Sequence, residues 1–244
     1  LKTEGLTKEF LGFKAVSDVN LAVRRGTIHA LIGPNGAGKT TVFNLLTKFH
    51  KPSSGHIWFN STDITQENQV QVARRGMVRS FQISATFAHL TALENVRVGL
   101  QRKRNDSFHF WTSEKKLNEL NDEAMALLES VDLASFANTV TVELPYGRKR
   151  ALEIATTLAL EPELMLLDEP TQGMGHEDVD RVVDLIKKIS ANRTILMVEH
   201  NLSVVESLCH SITVLQRGAI LAEGDYATVS SDPRVLEAYV GVEA

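Results

Sequence analysis

The sequence predicts an α/β fold in which a parallel-sheet core is interrupted by a helical segment. Three observations support this prediction. Apolar runs suited to buried strands alternate with helical stretches near both ends of the chain, as at 27–32 and 164–167. The interval from about 91 to 160 is instead helical in character and begins with a capping box, Thr91 to Glu94. A glycine-rich loop joins the first buried strand to a helix, which is a common connection in such folds.

The first third of the chain is predicted to be rich in β-structure. Alternating apolar residues predict a half-buried strand over 16–23. Shorter runs predict strands at 56–60, after a Pro-Ser-Ser-Gly turn, and at 76–81. The strong helix of this part begins near residue 38 and continues through 41–46.

The rest of the chain is predicted to change from helical to alternating structure. Helices are predicted at 114–131 and 148–160, and the polar interval 102–113 is predicted to be a surface loop. Strands and helices then alternate, and one or two helices end the chain. The predicted elements here are strands at 164–167, 194–198, 212–216 and 219–223, with helices near 177–190 and 201–208.

Composition is typical of a globular protein without a membrane span of its own. Hydrophobic residues make up 43% and charged residues 23% of the chain, and no run approaches ~18 apolar residues. The net charge of −4 gives no basic footprint for nucleic acid. The single cysteine, Cys209, excludes an internal disulfide. Together with a first segment that lacks a signal-peptide core, it predicts a cytoplasmic location.

The strongest motif is the glycine-rich loop that follows the first buried strand. It has the pattern G-x-x-x-x-G-K-[ST] of a phosphate-binding P-loop, and its residues are Gly33, Pro34, Asn35, Gly36, Ala37, Gly38, Lys39, Thr40 and Thr41. The glycines let backbone N–H groups approach phosphate oxygens, and the following helix directs its positive end toward them. Lys39 brings a charge to the β- and γ-phosphates, and the Thr40 hydroxyl can bind Mg²⁺. The motif predicts a nucleoside triphosphate with Mg²⁺ as ligand.

Polar side chains follow three other predicted strands, at the edge where ligands bind in parallel sheets. Asp168 is a candidate Mg²⁺ ligand, and Glu169 is a candidate for polarising the attacking water. His200 and Gln82 are candidates for contacts with the γ-phosphate, and the Gln82 amide is also a candidate Mg²⁺ ligand. Each could instead be an ordinary solvated strand-end residue, but the P-loop upstream favours the functional interpretation.

A second glycine-containing segment precedes the helix predicted at 148–160. It reads Leu144, Pro145, Tyr146, Gly147 and Arg148, and two more basic residues follow. A glycine at a helix N-terminus forms an anion site, and basic side chains add positive charge. An exposed basic helix cap is the alternative interpretation.

The chain carries, in order, the P-loop, Gln82 and the segments LPYGRKRALEIA, LMLLDEP and MVEH. With this order of motifs it resembles the nucleotide-binding domain of an ATP-binding cassette (ABC) ATPase over essentially the whole chain. The resemblance implies a P-loop NTPase (RecA-like) parallel-sheet core, an N-terminal antiparallel β subdomain and an inserted α-helical subdomain. It implies a single domain, with the core at 1–84 and 161–224, the helical subdomain at 85–160 and a C-terminal helical extension at 225–244.

The resemblance also implies roles for individual residues. Phe10 occupies the position of an aromatic residue that stacks on adenine, and Phe13 is the near alternative. The segment from Leu144 to Arg148 matches the family signature, which binds nucleotide. The implied catalytic residues are Lys39, Glu169 as base and His200 as switch histidine, and the implied Mg²⁺ ligands are Thr40, Gln82 and Asp168.

Two segments depart from the family pattern. In the signature, Pro145 stands where Ser is usual, Tyr146 where Gly is usual and Arg148 where Gln is usual. Because Pro145 offers neither a hydroxyl nor an N–H group, recognition from this side is expected to depend more on the backbone and on Arg148. In the loop after LLDEP, Gly175 stands where an aspartate is usual, which puts communication between sites through that loop in question.

Importers of branched-chain and other hydrophobic amino acids are the branch that the chain resembles most, in its P-loop, signature and final segment 235–241. The resemblance implies an ATP-hydrolysing subunit, peripheral on the inner face of the cell membrane, that acts through integral membrane permease subunits. It implies a second ATPase subunit, identical or different, and indirectly a periplasmic solute-binding protein. The alternatives are ATPases of urea importers or lipopolysaccharide exporters and soluble ABC proteins without a transport role. A third alternative is a P-loop kinase or a GTPase, and a GTPase is disfavoured because the sequence has no N-K-x-D strand end.

Overall fold

The computed structural model describes residues 1–80, 86–101 and 119–240. They form two compact units. The first holds Leu1–Met77, Glu163–Pro170 and Lys187–Ala244, and the second holds Val78–Pro162 and Thr171–Ile186. No helix in the described ranges is long and apolar enough to cross a membrane. The subdomain boundaries implied by the sequence remain a prediction.

The elements follow one another in the alternating order that the sequence predicts. The described strands are β1 (Lys2–Phe10), β2 (Phe13–Val19), β3 (Ile28–Ile32), β4 (Ser54–Phe59), β5 (Thr62–Asp63), β6 (Met77–Ser80), β7 (Leu164–Asp168), β8 (Thr194–Val198), β9 (Ser211–Gln216) and β10 (Ala219–Gly224). The described helices are α1 (Lys39–Leu46), α2 (Gln69–Arg74), α3 (Ala92–Gln101), α4 (Asn121–Ser130), α5 (Tyr146–Leu158), α6 (His176–Ser190), α7 (Leu202–Leu208), α8 (Tyr226–Ser230) and α9 (Pro233–Val240).

The first unit contains an antiparallel sheet with strand order β2-β1-β4-β5. Sequence patterning missed β1, and it placed β2 too far along the chain, at 16–23. Buried residues continue to alternate past the observed end of β2, at Leu21 and Val23. The Leu21 N–H, however, donates to the side-chain hydroxyl of Thr3 in β1 at 2.9 Å rather than to a backbone carbonyl, although the Thr3 N–H still donates to the Leu21 carbonyl at 2.8 Å. The apolar pattern was therefore correct, but the regular strand ends earlier.

The other sheet of this unit has a parallel centre. Strands β9, β3, β8 and β7 pair in parallel in that order, and β10 pairs antiparallel with β9. Strands β3, β7 and β8 are buried along their whole length, which explains their continuous apolar runs. Because these strands are parallel and in register, Gly33, Glu169 and Glu199 follow them at the same carboxyl edge.

A single core fixes the position of α1 within the first unit. Phe43, Leu45 and Leu46 of this helix are fully buried. They belong to one cluster of buried residues that also contains side chains from β1, β2, β3, β7 and β8. Burying each such side chain contributes about 1.5–3 kcal/mol. The loop between β3 and α1 is therefore held by packing at both of its ends.

The second unit is mainly helical, and its first described helix starts as predicted. The Thr91 hydroxyl accepts a hydrogen bond from the Glu94 N–H at 3.2 Å, and the Glu94 carboxylate accepts one from the Thr91 N–H at 2.7 Å. This reciprocal pair is the capping box that the sequence indicated. It defines the start of α3 at Ala92.

Two other helix predictions were wrong at their boundaries. Of the helix predicted over 114–131, residues 114–118 lie outside the described residues, as does the loop predicted at 102–113, and 119–120 form a turn before α4. Acidic Asp122 and Glu123 lie in the first turn of α4, where the helix dipole favours them. The helix predicted at 148–160 begins instead at Tyr146 and ends at Leu158.

Candidate nucleotide site

The glycine-rich loop is held by backbone approaches that exclude side chains. Gly33 has φ of 146°, and a Cβ atom there would lie 2.1 Å from the Leu215 carbonyl oxygen. Gly38 has φ of 103°, and a Cβ atom there would lie 2.6 Å from the Ala15 carbonyl oxygen. Substitution at either position would displace the loop from its two neighbouring strands. The glycines that the motif requires are therefore also required by this local structure.

Helix α1 begins at the end of this loop with uncapped N–H groups. Its N-cap residue is Gly38, so no side chain caps the first turn, and that turn contains no acidic residue. Thr40 is exposed and Thr41 is half-buried. The first N–H groups of a helix have no partner within the helix and carry a partial positive charge. This helix start is therefore suited to bind an anion such as a phosphate.

Lys39 is directed back along the loop. Its Nζ atom donates to the carbonyl oxygens of Gly33 at 2.6 Å and Pro34 at 3.0 Å. Burial lowers the pKa of Lys39, and the nearby carboxylates of Glu169 and Asp168 act in the opposite direction. The Lys39 ammonium group therefore lies at the loop, close enough to interact electrostatically with the carboxylates of Asp168 and Glu169.

Asp168 and Glu169 occupy the end of β7 in different ways. Asp168 is the last residue of the strand and is buried. Glu169 has φ of 47°, in the left-handed region that non-glycine residues rarely adopt, and its N–H donates to the Val198 carbonyl at 2.9 Å. Such backbone strain concentrates at functional sites. The turn ties the backbone of Glu169 to the end of the neighbouring strand β8.

His200 is in direct contact with Glu169. The His200 Nε2 atom lies 2.7 Å from the Glu169 Oε1 atom. The buried Glu199 carboxylate accepts hydrogen bonds from the N–H groups of His200 at 2.7 Å and Asn201 at 3.0 Å. This turn fixes the backbone that carries the imidazole. The sequence indicated His200 and Glu169 separately, and the parallel pairing of β7 with β8 brings them together.

The two candidate aromatic residues lie opposite each other in the β1–β2 hairpin. Phe10 pairs with Phe13 across a tight turn at Leu11 and Gly12. Phe10 is 38% exposed and Phe13 is 70% exposed. The Phe10 ring meets His50 edge to face at 5.2 Å, and the Lys8 ammonium lies 4.9 Å from its centroid. Phe10 is therefore the ring that is held by neighbouring side chains, and Phe13 is the more accessible ring.

The signature segment belongs to the second unit and starts helix α5. Pro145 is the N-cap, and the first helical hydrogen bond runs from the Lys149 N–H to the Pro145 carbonyl at 3.0 Å. The N–H groups of Tyr146, Gly147 and Arg148 therefore have no partner within the helix. A proline at the N-cap removes no donor from this set. The departure at Pro145 thus leaves a backbone anion site at the helix start.

The side chains around this helix start have partners of their own in the second unit. The Arg148 guanidinium donates to the Asp132 carbonyl at 2.8 Å and lies 5.1 Å from the Phe136 ring centroid. Leu144 is buried. A Cβ atom on Gly147 would lie 2.8 Å from the Asp178 Oδ1 atom. These contacts give the segment structural roles beside the predicted role in nucleotide binding.

The structure thus brings part of the predicted set together. Lys39, Asp168, Glu169 and His200 lie at the carboxyl edge of the parallel sheet, and Phe10 is in the antiparallel sheet of the same unit. The signature residues belong to the second unit. Gln82 lies outside the described residues.

Tyr239 is a contact of the P-loop that sequence reasoning missed. Burial raises the pKa of the Tyr239 hydroxyl to about 12, and a hydrogen bond from the backbone of Gly33 opposes this shift. A cavity of about 580 Å³ lies between the P-loop and α9, lined by Pro34–Ala37 and by Arg234, Glu237 and Ala238. No local motif marks this contact, because it joins the C-terminal helix to a loop some 200 residues earlier.

The residues present fit Mg²⁺ bound together with a nucleotide. Within the described ranges, no group of three or more His, Cys, Asp or Glu side chains could hold a metal ion. Asp168 and the Thr40 hydroxyl supply hard oxygen donors, which Mg²⁺ prefers. Mg²⁺ commonly takes one or two protein oxygens and completes its shell with substrate phosphates and water.

Comparison with known proteins gives a consistent assignment. Residues 16–172 match the family described as ABC transporter, and residues 219–244 match the branched-chain amino acid ATP-binding cassette transporter family. The chain is 39% identical over 251 residues to the high-affinity branched-chain amino acid transport ATP-binding protein BraF of Pseudomonas aeruginosa, covering 99% of this chain and 97% of that protein. It is 36% identical over 253 residues to LivG of Escherichia coli, with the same coverage.

Solved structures agree with this assignment. The structure of the ADP conformation of MJ1267, an ATP-binding cassette of an ABC transporter, superposes with a TM-score of 0.88 at 31% identity and covers 98% of each chain. The fold and site therefore define a P-loop NTPase of the cassette type, as the sequence predicted. The chain belongs to the ABC transporter family, as an ATP-binding and ATP-hydrolysing subunit.

Proposed function

We propose that this chain hydrolyses Mg²⁺-bound ATP at the carboxyl edge of its parallel sheet to energise import of branched-chain or related amino acids. The observation that carries the proposal is the 2.7 Å contact between His200 and Glu169, in electrostatic range of Lys39. The relatives BraF and LivG are described as branched-chain amino acid transport ATP-binding proteins. The match at residues 219–244 bears a similar description and supports the choice of solute.

The P-loop binds the triphosphate in this proposal. The backbone N–H groups of the P-loop, which are present at every residue of Gly33–Thr41 except Pro34, surround the phosphates together with the N-terminus of α1, and Lys39 exchanges its carbonyl partners for phosphate oxygens. Phe10 stacks on the adenine. Mg²⁺, held by Thr40 and Asp168 with Gln82 as a further ligand, supplies positive charge that offsets the charge on the phosphates.

Glu169 acts on the attacking water. Its carboxylate orients the water and takes its proton while the water oxygen bonds to the γ-phosphorus and the bond to the ADP oxygen breaks. The His200 hydrogen bond holds the carboxylate in place and positions the imidazole for contact with the γ-phosphate. The buried Glu199 turn keeps His200 in this position.

A second ATPase subunit completes the site. The N–H groups at the start of α5, on Tyr146, Gly147 and Arg148, form an anion site that faces the nucleotide of a partner subunit, identical or different. Each P-loop is thus half of a site. The isolated chain binds ATP, and efficient hydrolysis requires the pair.

A groove in the second unit receives the membrane permease. It has a volume of about 200 Å³ and is lined mainly by apolar atoms, including the exposed side chains of Phe87 and Val98. Docking there holds the chain peripherally on the inner face of the membrane and couples it indirectly to a periplasmic solute-binding protein. Exposed apolar side chains grouped around a groove are compatible with a protein-interaction site.

The proposal is tested by uptake of labelled leucine in cells from which the gene has been deleted. Wild-type chain is expected to restore ATP-dependent uptake and to co-purify with the permease, whereas Glu169→Gln co-purifies without restoring uptake. The matched control is Glu177→Gln, at a largely exposed carboxylate on α6, which should restore uptake fully. Uptake of leucine, isoleucine and valine that is unaffected by the deletion would refute the proposed solute class.

A further inference from the structure

Tyr146 connects the start of helix α5 to the segment that follows the sequence Asp168-Glu169-Pro170. Its hydroxyl donates a hydrogen bond to the Gln172 carbonyl at 3.0 Å. The next residue, Gly173, has φ of 75°, and a Cβ atom there would lie 3.8 Å from the same hydroxyl. The residue that departs from the usual signature glycine therefore binds the backbone of the segment 171–175, which we call the post-β7 loop.

The other side of Tyr146 faces a buried ion pair. The Arg150 guanidinium lies 5.9 Å from the Tyr146 ring centroid, within the range of a cation–π contact. Arg150 also donates to the Glu153 carboxylate at 2.8 Å, and the two side chains are 6% and 3% exposed. Arg150 is therefore shared between the Tyr146 ring and the Glu153 carboxylate.

Glu153 reaches the groove that was assigned to the permease. It lines this groove together with Phe87 and Val98. Its Oε1 atom has no hydrogen-bond partner among the described residues, and neither has the Arg150 Nε atom. Burial raises the pKa of Glu153, and Arg150 opposes the shift. A buried carboxylate oxygen without a donor is costly, so a donor that reached it from the groove would be bound strongly. Because this oxygen is buried, the groove side chains must move aside for that contact to form.

We propose that Glu153, Arg150 and Tyr146 form a relay of positioning residues that links the permease groove to the post-β7 loop. A hydrogen-bond donor on the docked permease segment binds the Glu153 Oε1 atom and weakens the hold of Glu153 on Arg150. The guanidinium then moves onto the Tyr146 ring, and Tyr146 shifts the loop through its bond to Gln172. The relay rests on the proposed function, because it needs a permease in the groove.

All members of the relay lie in the second unit, at Val78–Pro162 and Thr171–Ile186. The relay can therefore act within that unit, and the chain connects the post-β7 loop to Glu169 through Pro170. This arrangement supplies a coupling route in a chain whose loop has Gly175 where relatives of the family usually have an aspartate. A claim of coupling requires a measured interaction between the residues, which a double-mutant cycle provides.

The test compares Tyr146→Phe, Glu153→Gln and the double variant in the assembled transporter. Tyr146→Phe removes the hydroxyl that binds Gln172, and Glu153→Gln removes the charge that holds Arg150. The readout is the kcat for ATP in the presence of loaded solute-binding protein, divided by the kcat in its absence. Each single variant is expected to lose this stimulation about fivefold, and the double variant to lose no more than either single variant.

Controls separate the relay from general damage. Tyr226→Phe and Glu143→Gln make the same chemical changes at other positions and should keep full stimulation. Arg150→Lys, which keeps the charge without the planar guanidinium, should match the single variants if Glu153→Gln does not fold. The relay is wrong if the variants co-purify with permease but their effects multiply, or if stimulation is unchanged. In either case the proposed docking of the permease in the groove is still supported. If wild-type chain binds no permease, both proposals fail.

Discussion

The P-loop and the signature segment are both helix starts, but they form an anion site in different ways. At the P-loop, glycines with positive φ let the strand turn sharply into α1, and Lys39 adds a nearby charge. At the signature, a proline caps α5, and the charge of Arg148 is held by the Asp132 carbonyl and the Phe136 ring. The P-loop site combines a sharply turning loop, the charge of a lysine side chain and the N-terminus of a helix. In the second site, under the proposed function, the backbone N–H groups at the start of α5 carry recognition.

The largest difference in ATP affinity between the two regions is expected when their basic residues are replaced. Lys39→Ala should weaken ATP binding to the isolated chain on the order of 100-fold, because charge-assisted hydrogen bonds to the phosphates are lost. Arg148→Ala should change it by less than about threefold, because its guanidinium is bound within the second unit. Titration with a fluorescent ATP analogue measures both. Equal losses in the two variants would contradict the comparison.

The stability contributions of the strand before the P-loop and of the signature helix should also change in opposite directions as pH falls. Burial lowers the pKa of His29, on the strand that carries the P-loop, to about 4, and its ring contacts Thr213 and Ser211 at 2.8 Å. Between pH 6.5 and 4 the unfolded state binds a proton that the folded state excludes, so stability falls as pH falls. Burial raises the pKa of Glu153, so the folded state binds this proton more readily than the unfolded state. At this residue the same fall in pH therefore raises stability.

The His29 contribution should amount to about 2 kcal/mol of unfolding free energy between pH 7 and pH 5. Urea unfolding at the two pH values measures it. His29→Gln should lose this part of the pH dependence, whereas His89→Gln, at an exposed position, should keep it. The same slope in wild type and His29→Gln would show that His29 is not the source.

A smaller effect is expected at the adenine contact, where the hairpin offers two rings. Phe10→Ala should weaken ATP binding about tenfold, because stacking of a base on an aromatic ring contributes roughly 1–3 kcal/mol. Phe13→Ala should change it less than twofold, although Phe13 is the more exposed ring. The same titration decides between them, and the reverse order of effects would assign the stacking role to Phe13.

The smallest expected effect concerns the stability of the signature helix. In Gly147→Ala the new methyl group meets the Asp178 carboxylate at 2.8 Å, but this side chain can rotate away. Alanine also favours a helix over glycine by about 1 kcal/mol. The unfolding free energy should therefore change by less than about 1 kcal/mol, as it should in the control Gly175→Ala, where nothing lies within 4 Å. A loss of ATPase activity at unchanged stability would identify Gly147 as functional; a large loss of stability would show that it is retained for packing.

Sequence patterning was most successful where a local rule determines the structure. The P-loop, the buried strands predicted at 164–167 and 194–198 and the capping box at Thr91 depend on neighbouring residues, and the structure has a strand or helix start at each place. The start of α5 was misplaced by two residues, because the helix begins directly after its N-cap, Pro145. The contact of the Tyr146 hydroxyl with the Gln172 carbonyl is tertiary and has no local signal. The pairing of His200 with Glu169 likewise follows from strand order.

The central claim is that Glu169, held by His200, is the base of a site whose P-loop binds ATP without it. Single-turnover hydrolysis by Glu169→Gln in the assembled transporter tests this most directly. The variant should bind ATP as tightly as wild type and release phosphate roughly 1,000-fold more slowly, within the range for loss of a general base. Phosphate release at the wild-type rate, with ATP binding intact, would contradict the account.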